Sequence, residues 1–261
     1  MSILTPHGVA FHGISPDTKT TKHTAEELFN IYSPRILEFA GNDKARINAL
    51  VTDSCAVMRR LWEHIEVEYP HIFWVANDPH GKQLLIKDLL IATDKKPFFK
   101  KAVRIVNNCN TAPLQLALLK LIQHRMYGRE HAFKTHKFTR WGTSEQMLAS
   151  LHNSKAAILD FAEQDFADLK DKALLSNGEL WKAIDDMLRV LQPITEQLQM
   201  AEDHSYTVGR VYKSWKDIKE HLDKMASSKN MFAASIRDYI TRRSKKGERS
   251  WEKRLAKQLL P

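Results

Sequence analysis

The sequence predicts an α/β portion followed by an all-α one, and three observations carry that expectation. Residues 47–90 alternate between short apolar runs and helical stretches in the order strand, helix, strand, helix. After Asp94 no further strand-like run occurs. The later segments instead carry capping signals and apolar stripes at helical spacing.

Residues 9–14 read as a short strand ended by Ser15, Pro16 and Asp17. Thr24 and Glu27 form a capping box, each positioned to satisfy the other's end of the first helical turn. Leu28, Ile31, Ile36 and Phe39 follow at near-helical spacing, with Pro34 as a kink and Gly41 closing the element. Residues 47–52 are rich in β-formers and stop at Asp53. The next helix places Met58, Leu61, Trp62 and Ile65 on one face, and Pro70 breaks it. Residues 71–76 (HIFWVA) make a second strand, punctuated by Asn77, Asp78 and Pro79. From His80 a helical run passes through Leu84, Leu85, Ile86, Leu89 and Leu90. Such alternation indicates parallel strands joined by crossovers, with ligands placed beyond the carboxyl ends of the strands. Asp53 stands at such an end.

Residues 97–110 and 113–126 read as helices, and 127–137 as a basic, histidine-containing loop. Thr143 to Gln146 is a second capping box and Ser176 to Glu179 a third. The third opens a helix whose Leu180, Ile184, Met187, Leu188, Leu191, Ile194 and Leu198 form one stripe, with Pro193 bending it late. Helices also cover 206–225 and the tail from Asn230, with a break at Lys245, Lys246 and Gly247. The expected organisation is an α/β part over 1–94, a helical part over 95–236 and a basic helical tail over 237–261.

Composition narrows the function. The 261 residues carry a formal charge of +9, a sign that biases a chain toward polyanions. Nine Lys/Arg against three Asp/Glu place +6 of that charge in residues 237–261. Lys95, Lys96, Lys100, Lys101 and Arg104 form a second cluster, and Arg125, Arg129, Lys134, Lys137 and Arg140 a third. These clusters read either as solvated helix faces or as a phosphate-tracking surface. Cys55 and Cys109 are too few for a disulfide framework or a zinc site. The pairs His7/His12, His71/His80 and His131/His136 lack a ligand partner at a recognisable spacing. No apolar run approaches a bilayer span, so no membrane partner is expected. The N-terminus has no secretory pattern, so an intracellular location is expected. The run Arg242, Arg243, Ser244, Lys245, Lys246 has the composition of a nuclear localisation signal.

The segments VTDSCAVMRRLW, HIFWVAND and HGKQLLIKDLL resemble the central part of hAT-superfamily (hobo–Activator type) DNA transposases. The pieces GVAFHGISPDTKTTKHTAEEL, THKFTRWGTSEQML and LWKAIDDMLRVLQPITEQLQMAEDHSYTVGRVYKSW match in the same order. The resemblance implies a partial ribonuclease H-like sheet followed by much of a helical insertion domain. It puts Asp53 at the second catalytic aspartate of those enzymes, where carboxylates hold two divalent ions. Read from the residues alone, Asp53 is equally an N-cap accepting the N–H of Cys55 or Ala56. The first aspartate of the family has no counterpart, and Glu220, Glu248 and Glu252 lie in no segment resembling its glutamate helix. One carboxylate cannot hold two Mg²⁺ ions, so no metal cofactor is expected unless the site is completed from elsewhere. The resemblance gives Arg140-Trp141 a base-stacking and phosphate-binding role; the alternative is that Trp141 anchors its loop to the helical core. Asn77 stands where the family has a cysteine, and His80 reads as a helix-start residue. The expected function is transposase-derived, non-sequence-specific DNA binding without catalysis, through Arg140, Trp141, Lys100, Lys101, Arg242, Arg243, Lys245 and Lys246. Two alternatives are a protein-interaction module and a metal-dependent nuclease completed by a second chain. A sheet with bare edges adds an expectation of self-association.

Overall fold

The computed structural model describes residues 2–4, 10–12, 24–41, 43–93, 98–137, 142–164, 175–202 and 208–246. Strand β1 (Ser2–Leu4) pairs antiparallel with β2 (Ala10–His12), Ser2 opposite His12. β2 lies inside the run expected as a strand. β1 was not expected, because three residues carry too little pattern to register.

Helix α1 (Ala25–Ala40) opens on the expected capping box, with the Thr24 hydroxyl accepting the Glu27 N–H at 3.3 Å. Gly41 ends it at φ 61°, a left-handed conformation that costs glycine no Cβ clash. β3 (Ala49–Thr52) and β4 (Phe73–Ala76) pair in parallel, Ala49 with Phe73 and Thr52 with Ala76, and α2 (Ala56–Glu68) connects them. Leu61, Trp62 and Ile65 are buried on α2 and Met58 half-buried, the face that the spacing predicted. Leu61 and Ile65 form one hydrophobic cluster with Leu28 and Ile36 of α1 and with Tyr69 and Ile72 ahead of β4, and Met58 packs against it. Tyr69 ties it to α1 through a 2.7 Å hydrogen bond with Ser33.

Helix α3 (Asp78–Thr93) begins two residues before His80. Pro79 does not delay it, since an N–H in the first turn has no acceptor within the helix to lose. There follow α4 (Phe98–Thr111), α5 (Pro113–Tyr127), α6 (Gly142–Asn153), α7 (Lys155–Glu163), α8 (Gly178–Ala201), α9 (Val208–Ala226) and α10 (Ala233–Lys246). No strand occurs among the described residues after residue 94, apart from an isolated bridge at Lys137. The molecule is mostly helical, with a two-stranded parallel sheet and a short antiparallel pair.

The expected stripe of α8 is the centre of the second core. Leu180, Ile184, Met187, Leu191, Ile194 and Leu198 are buried, and Leu188 is half-buried. Met147, Leu148 and Leu151 of α6 and Ile218 and Leu222 of α9 belong to the same cluster. Trp181 is buried there with its Nε1 donating to the Leu175 carbonyl at 2.7 Å. Trp215 is half-buried beside the ammonium of the fully buried Lys82, 5.4 Å from its ring centre; Trp251 lies outside the described residues.

Two caps differ from expectation. The cap of α8 is Asn177 and not Ser176: the Asn177 side chain accepts the Glu179 N–H at 2.9 Å. Thr143 lies inside α6, where its hydroxyl accepts the Lys137 N–H at 2.9 Å, so it holds the preceding loop. The chain divides after Gly81 into two compact units, where the sequence placed a change near residue 95. The reason is in α3, whose Leu85, Ile86, Leu89 and Leu90 join the helical core.

Candidate functional site

The ladder between β3 and β4 runs one step past the strands, with the Asn77 N–H donating to the Thr52 carbonyl at 2.8 Å. That step places the residues after the two strands side by side. Asp53 follows β3 with its carboxylate 52% exposed, and its Oδ1 accepts a hydrogen bond from Asn77 Nδ2 at 3.1 Å. His80, in the first turn of α3, brings Nδ1 to 3.9 Å from the same oxygen. One carboxylate, one carboxamide and one imidazole therefore meet at the carboxyl ends of two parallel strands.

This geometry corrects the capping expectation. The N-cap of α2 is Cys55, with no side-chain hydrogen bond. The Asp53 carboxylate is engaged across the sheet instead, by a residue 24 positions later. Asn77, the position where the resemblance calls for cysteine, is the residue that holds it. The contacts described for the Asp53 carboxylate are with the Asn77 carboxamide and the His80 imidazole, and neither brings it a second carboxylate for a two-ion centre. No group of three or more His, Cys, Asp or Glu arranged to hold a metal occurs among those residues.

The basic residues sort into distinct situations. Lys100 is exposed on α4 and Lys101 half-buried, and neither makes an ion pair among the described residues. Arg104 lies one turn further on. Arg125 of the third cluster is committed to Asp160 at 2.6 Å, whereas Arg129 directs its Nε to His131 Nε2 at 3.1 Å. Arg242 is exposed on α10, its Nε donating to the Asp238 carbonyl at 3.2 Å. Arg243, Lys245 and Lys246 continue that helix and are described by their backbone alone. Arg140, Trp141, Lys95 and Lys96 lie outside the described residues.

Three polar side chains that sequence reasoning did not single out are buried and structural. Asp186 takes the Lys182 ammonium at 2.7 Å and the Met231 N–H at 3.0 Å, pinning the turn before α10 to α8. Lys182 four residues earlier is the one local sign of it. Gln123 bonds the His131 backbone and the Ser154 hydroxyl. Lys82 completes the set.

No helix among the described residues is long and apolar enough to cross a membrane. Comparison with protein-family models, with curated proteins and with solved structures finds no match.

Proposed function

We propose that the protein derives from a hAT-type transposase and binds duplex DNA in the nucleus, weakly, without sequence preference and without cleaving it. The observation that carries the binding is α4. It bears Lys100, Lys101 and Arg104 and no acidic residue, and the two lysines have no acidic partner among the described residues. Cations not already neutralised by the protein can release counterions from a phosphate backbone, which is the main source of non-specific affinity. The +6 balance of residues 237–261 acts in the same direction.

Descent rests on the resemblance of the segments around Asp53 and Trp141. The position of Asp53 beyond a parallel strand is compatible with it, and a single carboxylate gives no basis for two-metal hydrolysis. Weak self-association through the bare β3–β4 pair belongs to the same reading.

Fluorescence anisotropy of a generic duplex tests the binding. Affinity should fall roughly tenfold to a hundredfold between 50 and 200 mM salt. Lys100→Glu with Lys101→Glu should weaken it and flatten the salt slope. No binding at low ionic strength would sink the proposal. That outcome would favour the interaction-module reading, which has its own observation in α5. Leu114 and Leu121 are 69% and 68% exposed on one face of that helix.

A further inference from the structure

Residues 128–137, which follow α5, are irregular apart from the bridge at Lys137, yet they are fastened to both α5 and α6. Gln123, fully buried in α5, donates from Nε2 to the His131 carbonyl and accepts the His131 N–H at Oε1, each at 3.1 Å. The His131 ring lies parallel to Tyr127, 3° apart with centres separated by 4.9 Å. Further on, the Lys134 N–H donates to the Ser150 hydroxyl at 3.0 Å. An open groove of roughly 570 Å³ runs between this segment and α6, inside the range typical of small-ligand sites. It is lined by Arg129, His131 and Lys134 on one side and by Glu145, Gln146 and Asn153 on the other.

The cations of this groove differ from their neighbours. Lys120 is bound to Glu130 at 2.8 Å and Arg125 to Asp160 at 2.6 Å, so both are already neutralised. Arg129 uses only Nε, on His131, and its terminal nitrogens make no hydrogen bond or ion pair among the described residues. The Lys134 ammonium likewise makes none. The α6 wall complements them: Gln146 and Asn153 have no hydrogen-bond partner among the described residues. Gln146 and Asn153 are seven positions apart, which spans about 10 Å of helix. Glu145 stands beside them, and burial followed by the nearby Glu196 carboxylate holds its carboxyl above the ordinary range. One end therefore offers two uncommitted positive groups, and the wall opposite offers carboxamides and a carboxyl, the groups that read hydroxyls and base edges.

We propose that this groove binds a phosphorylated nucleoside, its phosphate on Arg129 and Lys134 and its sugar and base along Glu145, Gln146 and Asn153. The guanidinium grips two phosphate oxygens and the ammonium neutralises the remaining charge. Ala132 and Ala149 supply short walls that leave room for a flat ring. A volume of this size suits one nucleotide, so the ligand is either a free nucleotide or the terminal nucleotide of a single strand. The site does not rest on the duplex-binding reading, which uses α4 and the tail.

Calorimetry on the full chain at low salt tests it, with nucleoside 5′-monophosphates, the matching nucleosides, inorganic phosphate and a 5′-phosphorylated single-stranded hexamer. Some monophosphate should bind at least roughly tenfold more tightly than inorganic phosphate and than its own nucleoside. A tighter hexamer assigns the site to a strand end; a tighter monophosphate assigns it to a free nucleotide. Arg129→Ala with Lys134→Ala should lose roughly tenfold or more in monophosphate affinity. Gln146→Ala with Asn153→Ala breaks no hydrogen bond described in the fold and should keep the melting temperature. It should bring monophosphate affinity down toward that of phosphate. The proposal fails if phosphate binds as tightly as every monophosphate, if a glutamate-rich peptide competes equally well, or if the Gln146/Asn153 variant leaves the preference unchanged. Lys100→Glu with Lys101→Glu should leave monophosphate binding intact, so loss of duplex binding and loss of this site are separable.

Discussion

Cys109 and Cys55 share a chemistry and differ in surroundings. Burial in α4 pushes the Cys109 thiol up to about 11, whereas Cys55 is exposed ahead of α2. The thiolate is the reactive form. A thiol reagent at pH 8 should therefore titrate one cysteine in the native protein and both in denaturant; two fast native thiols would contradict the packing of α4. Asp186 is a comparable case among the charges. Removing its carboxylate by Asp186→Ala strands the Met231 N–H and should cost about 2 kcal/mol, read as a lowered melting temperature. An unchanged melting temperature would show that this link holds nothing. Asp53 shows where single-residue legibility ends. Its place after an apolar strand is visible in the sequence, and that much was found. Its partner was not, because the Asn77 contact arises from the β3–β4 register, a long-range feature absent from any local window.

At the scale of elements, local chemistry was the most legible. The α1 capping box is satisfied within one turn and the α8 stripe repeats with the helical period, so spacing alone finds them. Thr143 was misread because its hydroxyl serves the preceding loop, an alternative that a four-residue motif cannot exclude. Pro193 was legible as an interruption, but its remedy was not. Proline has no N–H for the Arg189 carbonyl one turn back. His221 of α9 reaches this turn from another helix: its Nε2 lies 3.2 Å from the adjacent Val190 carbonyl, and the Arg189 carbonyl also favours its charged form. His221→Ala should cost about 1 kcal/mol, and less in a Pro193→Ala background where the helix supplies its own donor. Equal costs in the two backgrounds, measured by denaturant titration, would refute the link. The pairing also predicts a pH response. Burial holds the His221 imidazole below its ordinary 6.5, outweighing the carbonyls that favour the charged form. The unfolded chain then binds the proton more readily, so this contribution to stability is full above 6.5 and declines as the pH falls below it. His221→Gln should make the acid-side decline shallower.

For the whole molecule, the helical character after residue 94 could be read because an apolar stripe such as that of α8 repeats over several turns, whereas the extent of the sheet could not. Parallel sheets are ordinarily covered on both faces. Here α2 and α1 supply the cluster on one side of β3–β4, while Val51 is 61% and Phe73 49% exposed. The sheet has two strands among the described residues, so each strand also offers an unpaired edge. An edge of this kind is its own template, because the same N–H and C=O pattern in a second copy can extend it. The apolar face adds a driving force that grows with concentration. Light scattering after size exclusion should therefore show an average mass that rises from micromolar to near-millimolar protein. Val51→Lys with Phe73→Lys should suppress the rise, since a charge on each strand must be desolvated for copies to meet. Far-ultraviolet circular dichroism should stay unchanged in that variant, separating lost association from lost folding. A constant monomer mass across the range would mean that the bare face is too small to bring two copies together.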